Sequence, residues 1–173
     1  TVTQAVGNNV ELSLSRAPED EVPVTAAALR EQVQAQTTAV TTLVDDWSTR
    51  DEPVSFKDFE KALRQVVFAS ARNAIMLFLA LREEHLMGSY PSRVERDGRK
   101  FRQAPSIVRS LATMFGVVRY ARTYMREVAR GSRRGFHPLD VELGLVGDRF
   151  SWNVLTMAAR LATKLSFAEA RAT

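Results

Sequence analysis

The stretch FGVVRYARTYMREV, residues 115–128, decides the fold class of this chain. Its valines, tyrosines and threonine favour a strand, and Gly116 disfavours a helix interior. Upstream, Asp97-Gly98 is a typical two-residue turn of a β-hairpin. We therefore predict a small antiparallel β-sheet in this part of the chain. The apolar spacing over residues 106–129 also fits a helix, and the sequence leaves that alternative open.

Two helices are predicted before the sheet. Thr25 is a suitable N-cap for a helix from Ala26 to Trp47, which Asp51-Glu52-Pro53 ends. Ser55, with Asp58 three residues later, then begins a stronger helix that runs to Met87 and Gly88. Its apolar residues form a wide stripe, so the two helices are predicted to pack as a helical hairpin.

Helical signals return after the sheet. Pro138 opens a short helical turn that Gly144 and Gly147 end, and Ser151 caps a further helix. Ser166 with Glu169 predicts the start of another helix. The fold class is therefore α+β and mainly helical, with an N-terminal helical hairpin, a small antiparallel β-sheet and C-terminal helices.

These signals divide the chain into four parts. Residues 1–23 hold an acidic run and two prolines and are predicted to be a flexible tail. Residues 24–89 are the helical hairpin, and residues 90–137 are a basic β-rich module. Residues 138–173 are predicted to be a helical segment that begins a truncated helix-turn-helix-like unit, with only its first half expected in this sequence.

Charge is distributed unevenly between the two halves of the chain. Residues 1–89 hold 8 Lys/Arg against 13 Asp/Glu, whereas residues 90–173 hold 16 against 7. Arginine makes up 20 of the 24 basic residues, and its planar guanidinium suits phosphates and base edges. The sequence therefore predicts an anionic polymer as the partner of the second half.

In an extended strand, alternation places Tyr120, Arg122, Tyr124 and Arg126 on one face. Aromatic rings among guanidiniums are typical of a surface that stacks on bases and pairs with phosphates. The alternative is that both tyrosines pack on the helical hairpin and the arginines form a solvated edge. The predicted nucleic-acid-binding residues are Arg99, Lys100, Arg102, Arg119, Tyr120, Arg122, Tyr124, Arg126, Arg130, Arg133 and Arg134.

No catalytic or metal-binding residue is predicted in this chain. The absence of cysteine excludes disulfides and thiolate metal sites. Glu83, Glu84 and His85 lack a second histidine four residues on, so they are interpreted as exposed charge. His137 is interpreted as a turn or packing residue. Within residues 115–170, Asp140, Glu142 and Asp148 are the only acids that could mimic a metal-binding triad, and we assign them no catalysis.

Three short motifs in order carry a family resemblance over about sixty residues. They are Phe115, Gly116, Val117, Arg119; then Gly135, Phe136, Pro138, Leu139, Asp140, Leu143, Gly144, Leu145; then Ser166, Phe167, Glu169, Ala170. This pattern resembles the front part of bacterial insertion-sequence transposases of the Kra type, with a weaker likeness to the Lre type. Two departures are the absence of a cysteine pair before Gly135 and the end of the sequence at Thr173, where such proteins continue into a catalytic domain.

The resemblance implies the DNA-engaging, non-catalytic region of a transposase, with a structural role for Asp140. Metal-dependent DNA cleavage would belong to a downstream ribonuclease-H-like domain, so this chain is expected to need no cofactor or metal of its own. DNA is the expected partner, self-association of the chain is a further expectation, and no small-molecule substrate is expected. The most apolar stretch, residues 74–81, is short for a membrane span, so a cytoplasmic, nucleoid-associated protein is expected. The alternative function is a structural or interaction module whose basic half binds an acidic protein partner or another copy of itself.

Overall fold

The computed structural model of this chain describes residues 25–145, 147 and 149–170, with side chains up to residue 164. The predicted tail, residues 1–23, lies outside these residues. The elements in chain order are α1 (Ala26–Ser48), α2 (Phe56–Ser89), β1 (Arg93–Arg96), β2 (Arg99–Thr113), β3 (Gly116–Glu127), β4 (Gly135–Phe136), α3 (Pro138–Glu142) and α4 (Trp152–Ala170). The described part of the chain is therefore α+β and mainly helical, as predicted.

Capping side chains fix where the two long helices begin. The Thr25 side chain accepts a hydrogen bond from the Ala28 amide at the start of α1, and Ser55 accepts one from the Asp58 amide at the start of α2. These bonds satisfy amides that the first helical turn leaves without a partner. The Trp47 ring packs against Phe59 near the connection, so α1 and α2 form the predicted helical hairpin.

The sheet has the strand order β1-β2-β3-β4, and every neighbouring pair is antiparallel. Asp97 and Gly98 both have positive φ, 52° and 70°, as a two-residue hairpin turn between twisted strands requires. The helical alternative for residues 106–129 is wrong, because residues 106–127 form the second half of β2, a turn and β3, and no helix follows before residue 138. The pairing of β2 with β3 shifts register after Ala104, next to Pro105, which has no amide hydrogen to donate.

The C-terminal helix differs from the prediction. Residues 152–170 form one continuous helix, so no separate helix begins at Ser166. A serine caps a helix only where its backbone is extended, and no glycine or proline interrupts the helix before it. No helix-turn-helix junction is present among the described residues of α4.

The core lies where α2 and α3 meet β2 and β3. Its buried members are Leu79 of α2, Leu111 of β2, Val118 and Tyr120 of β3, and Leu139 of α3. By contrast, Ala26 and Leu29 are the only residues of α1 that are buried. The two-helix hairpin therefore extends away from the core with much of its apolar surface only half covered.

By length and composition alone α2 could also cross a membrane, and no other described helix meets that criterion. Core helices of soluble proteins pass the same test. The second half of α2 contacts β3 and α3, so a membrane span would require these contacts to open.

The position of the core predicts a contrast between two leucines. Leu139 is completely buried, so Leu139→Ala should lower the free energy of unfolding by about 2–5 kcal/mol. Leu161 of α4 is 53% exposed, and Leu161→Ala should change stability by less than about 0.5 kcal/mol. Urea denaturation followed by circular dichroism measures both values. Equal losses would contradict this placement of the core.

Candidate nucleic-acid interface

Three arginines stand side by side across three strands at one end of the sheet. Arg93 of β1 pairs with Arg102 of β2, and Arg102 pairs with Arg126 of β3. Directly opposed residues of an antiparallel pair project from the same face, with Cβ atoms about 4.5–5.5 Å apart. All three side chains are exposed. We call this set the arginine row.

Like charges directly opposite one another destabilise a sheet. Of the nearby acids, Glu95 is opposite Lys100, and Glu127 faces the Arg99 guanidinium at 3.9 Å. Asp97 lies 3.7 Å from Arg96 in the hairpin turn. Each of the three carboxylates therefore has another basic neighbour, and the arginine row keeps an excess of positive charge that an anion would neutralise.

A second group of arginines surrounds a cleft of about 510 Å³ beside the same hairpin. The lining residues include Arg96, Arg99, Arg133 and Arg134 around the aromatic rings of Phe101, Tyr124 and Phe136. The Arg96 guanidinium lies 5.1 Å from the centre of the Phe136 ring, which packs edge-on against Phe101. We call this cleft the arginine cleft. Arg96 and Arg99 each lie three residues from a member of the arginine row, so their side chains leave the opposite face of the sheet. The row and the cleft therefore make both faces of this end of the sheet basic, and we call the two sets together the basic surface.

The loop from β3 to β4 is held in place by polar contacts. Glu127 accepts a hydrogen bond from the Ser132 hydroxyl, and the Ser132 oxygen accepts one from the Arg134 amide. Gly135 then passes so close to Tyr124 that a Cβ atom on it would collide with the tyrosine ring. Glycine at this position lets the loop place Arg133 and Arg134 beside the hairpin.

The prediction that four β3 side chains share an exposed face is wrong. Tyr120 is only 5% exposed and belongs to the core, and the Arg122 side chain is 16% exposed. Tyr124 is half-buried against His137, with ring centres 5.1 Å apart, and only Arg126 is exposed. Alternation placed these residues on one face correctly, but α2 and α3 cover most of that face. Tyr120 cannot stack on a base in this structure.

Tyr120 and Arg122 instead converge on Asp140 of α3. The Tyr120 hydroxyl donates to Asp140 Oδ1 at 2.8 Å, and Arg109 Nη1 donates to Asp140 Oδ2 at 2.8 Å. Arg122 forms an ion pair with the same carboxylate oxygen, and Arg109 also donates to the Leu145 carbonyl at 2.7 Å. Asp140 is thus a structural residue, and Arg109 of β2, which lies directly opposite Tyr120, is part of its network.

Glu83 supplies a second negative charge to this network. Its Oε1 accepts from the Thr123 amide at 2.6 Å, while its Oε2 and the Arg122 Nε are buried without a hydrogen-bond partner. With Arg109, Arg122 and Asp140 the buried group carries two positive and two negative charges, which favours its burial. The interpretation of Glu83 as exposed charge is therefore wrong.

Burial is the main cause of the pKa shifts in this network. It raises the pKa of Tyr120, against the opposing charges of Arg109 and Arg122. It also lowers the pKa of Arg122, although the guanidinium keeps its charge beside Asp140.

His137 sits at the N-cap of α3, next to this network. Its Nδ1 lies 3.0 Å from the Thr123 carbonyl oxygen, and because a carbonyl only accepts, Nδ1 carries the hydrogen. Burial lowers the pKa of His137, Arg122 and Arg109 lower it further, and the Thr123 hydrogen bond opposes them. These contacts agree with the packing role that the sequence predicts.

The other predicted binding residues fall into two groups. Arg119 is half-buried, opposite Ser110 and outside the basic surface. The remaining ones are exposed at the hairpin, the end of β3 and the following loop: Arg99, Lys100, Arg102, Arg126, Arg130, Arg133 and Arg134.

Sequence reasoning missed Arg93 and Arg96. The signal was available, because a two-residue turn at Asp97-Gly98 forces Arg96 opposite Arg99 and Arg93 opposite Arg102. Counting residues back from that turn would have identified two members of the basic surface.

Glu83, Glu84 and His85 do not form a metal site. No group of three or more histidines or acids that could hold a metal ion occurs within the described residues. Asp140 and Glu142 are engaged by arginines, and Asp148 lies outside the described residues.

Comparison with protein-family models, curated proteins and solved structures finds no match for this chain. The transposase resemblance therefore remains a prediction from the motifs in the sequence.

The Asp140 network predicts a large loss of stability when its charge is removed. Asp140→Asn leaves Arg109 and Arg122 without their shared carboxylate, which should cost about 3–5 kcal/mol. Tyr120→Phe removes one hydrogen bond and should cost less, about 1.5–3 kcal/mol. Urea denaturation measures both. A cost for Asp140→Asn below that of Tyr120→Phe would show that the carboxylate is not the centre of the network.

The lowered pKa of His137 predicts that the protein loses stability in mild acid. Its pKa is lower in the folded protein than the unfolded value of about 6.5, so the unfolded chain binds the proton first as the pH falls. The contribution is fully present above that pH and is lost as the pH falls towards the folded pKa. Between about pH 7.5 and about pH 5.5 the unfolding free energy of the His137→Gln variant should therefore fall less than that of the unchanged protein. His85→Gln, at an exposed position, is the control and should not.

Proposed function

We propose that this chain binds DNA through its basic surface, as the DNA-engaging region of an insertion-sequence transposase. The observation that supports the proposal most strongly is the arginine row, Arg93, Arg102 and Arg126, on three adjacent strands. The strands are about 4.8 Å apart, so three guanidiniums on flexible side chains can follow a phosphate backbone.

The arginine cleft supplies a second set of phosphate ligands at the same end of the sheet, with Arg96 and Arg99 on the face opposite to the row. Arg133 and Arg134 approach it from the loop after β3, while Arg96 and Arg99 come from the hairpin. Such contacts hold the nucleic acid in position and carry little sequence information. The proposed binding is therefore to duplex DNA with weak sequence preference and a strong dependence on salt.

Catalysis is no part of the proposal for these residues. Beside the basic surface, Asp97 and Glu127 are paired with arginines and Glu95 lies opposite Lys100, while the buried Asp140 is occupied by three donors. By the resemblance, strand cleavage would belong to a separate ribonuclease-H-like domain of the parent protein. The proposed location is the cytoplasm, at the nucleoid.

An acidic protein partner is the second candidate, because a basic surface attracts carboxylates as well as phosphates. The geometry of the row favours DNA. Three like charges aligned at strand spacing match a regular polyanion, and arginine binds phosphate in a planar, bidentate fashion.

Replacing the three arginines of the row should weaken DNA binding in a measurable way. The triple variant Arg93→Ala, Arg102→Ala, Arg126→Ala should lower the slope of log affinity against log salt by about 2–3, since each lost phosphate contact removes about 0.9. Fluorescence anisotropy with a labelled duplex over a salt series measures the slope. The side chains are exposed, so circular dichroism should show an unchanged fold.

A matched control removes the same charge elsewhere. Arg30, Arg149 and Arg160 are also exposed, and they lie on α1, beside the far end of β2 and on α4. Their triple alanine variant should keep most of the slope. Equal losses of slope in both variants would show that DNA binding depends only on the net charge of the protein. Tighter binding of polyglutamate than of DNA would favour the acidic-partner alternative.

A further inference from the structure

One side of α2 carries an apolar stripe that the described part of the chain leaves largely exposed. Val67, Ala74 and Phe78 are all exposed, with Val67 at 41% and Phe78 at 50%. At 100° per residue these three positions lie within about 40° of one another around the helix. Ala71 and Leu81, which are half-buried, flank them. We call these five residues the α2 stripe.

The stripe continues into a second apolar surface beside Phe78. A cleft of about 430 Å³ separates α2 from the turn between β2 and β3, and its lining includes Phe78, Met114 and Phe115. All three of these side chains are at least 37% exposed. Adjoining exposed apolar residues of this size mark an interaction surface.

From these observations we propose that the helical hairpin docks antiparallel against the hairpin of a second copy, α2 stripe against α2 stripe, to form a four-helix bundle. This inference does not depend on DNA binding, and its tests use no DNA.

The stripe is complementary to itself when two copies run antiparallel. With Ala74 on the two-fold axis, Val67 of one copy faces Leu81 of the other, and Phe78 faces Ala71. Each large side chain thus meets a small or matching one, as close packing requires. A two-fold interface of this kind uses the same residues on both copies.

Charge favours the antiparallel direction. The connection between α1 and α2 and the helix ends beside it, residues 45–61, hold Asp45, Asp46, Asp51, Glu52, Asp58 and Glu60 against Arg50, Lys57 and Lys61. We call this segment the acidic connection. At the opposite end α2 leads into the basic β1, which begins at Arg93. An antiparallel pair brings the acidic connection of one copy to the basic end of the other, whereas a parallel pair would bring the two acidic connections together.

The area required indicates a bundle of four helices and not a pair. A stable interface buries about 800 Å² on each partner. The α2 stripe spans 15 residues, about 22 Å, and on one helix about 10 Å wide it offers only about 220 Å². The whole hairpin face, about 35 Å long and two helices wide, offers about 700 Å², to which the adjoining cleft adds. Val44 of α1, 40% exposed, adds apolar area from the other helix of the hairpin.

The first experiment measures mass. Sedimentation equilibrium of the full chain should give twice the monomer mass of 19.3 kDa at high concentration. Phe78→Glu should raise the dimer dissociation constant at least about tenfold, because a charge would be buried at the centre of the interface. The matched control is Ile107→Glu on β2, since Ile107 is 48% exposed and lies outside the stripe. It should leave the dissociation constant unchanged.

The second experiment tests whether the two α2 helices of the dimer run antiparallel. It uses the absence of cysteine from the chain. Ala74→Cys places a single thiol at the proposed axis, where two copies should form a disulfide readily on mild oxidation. Phe56→Cys lies 18 residues away, so in an antiparallel pair the two thiols are about 54 Å apart and should not cross-link. Circular dichroism checks that each variant folds.

Three outcomes would overturn the proposal. They are a monomer at every concentration, efficient cross-linking of Phe56→Cys, which indicates a parallel pair, and a dimer that Phe78→Glu leaves intact. Flotation of the chain with phospholipid vesicles, abolished by Phe78→Glu, would instead identify the stripe as a membrane surface.

Discussion

The fold depends on one buried carboxylate, Asp140 of α3. It holds two arginines and a tyrosine from the neighbouring strands β2 and β3, so a five-residue helix is fixed to the sheet by charge as well as by the packing of Leu139. Glu83 of α2 supplies the second negative charge and caps the Thr123 amide on β3. Removing one charged member of such a balanced buried group is strongly destabilising, because the remaining charges would have no partner.

This network separates two classes of arginine that look alike in the sequence. Arg109 and Arg122 form ion pairs with Asp140 inside the folded protein. Arg93, Arg102 and Arg126 make no contact with Asp140 and are exposed to solvent. Part of the positive charge of the basic β-rich module, residues 90–137, therefore has a structural role. The total charge of this module overstates the positive charge that is available to a partner. The proposed DNA surface rests on the exposed arginines alone.

The molecule also separates its proposed roles in space. The sheet end carries positive charge, while the helical hairpin carries an acidic connection and an exposed apolar stripe. A dimer built through the hairpins would carry two basic modules, and an antiparallel arrangement would hold them at opposite ends of the bundle. Two-fold symmetry of this kind suits a partner with two equivalent ends.

Local chemistry by itself determined α1 and α2, the caps at Thr25 and Ser55 and the Asp97-Gly98 turn, because these depend on neighbouring residues. It favoured a strand from Gly116 but left a helix open there. The uneven distribution of charge was equally visible. Only the tertiary structure decided which side of β3 is covered, since alternation assigns Tyr120 and Arg122 to a face without saying whether α2 and α3 pack on it. It also decided that Glu83, 40 residues from Thr123, is part of the core network, because pairing between distant residues leaves no local signal in one sequence.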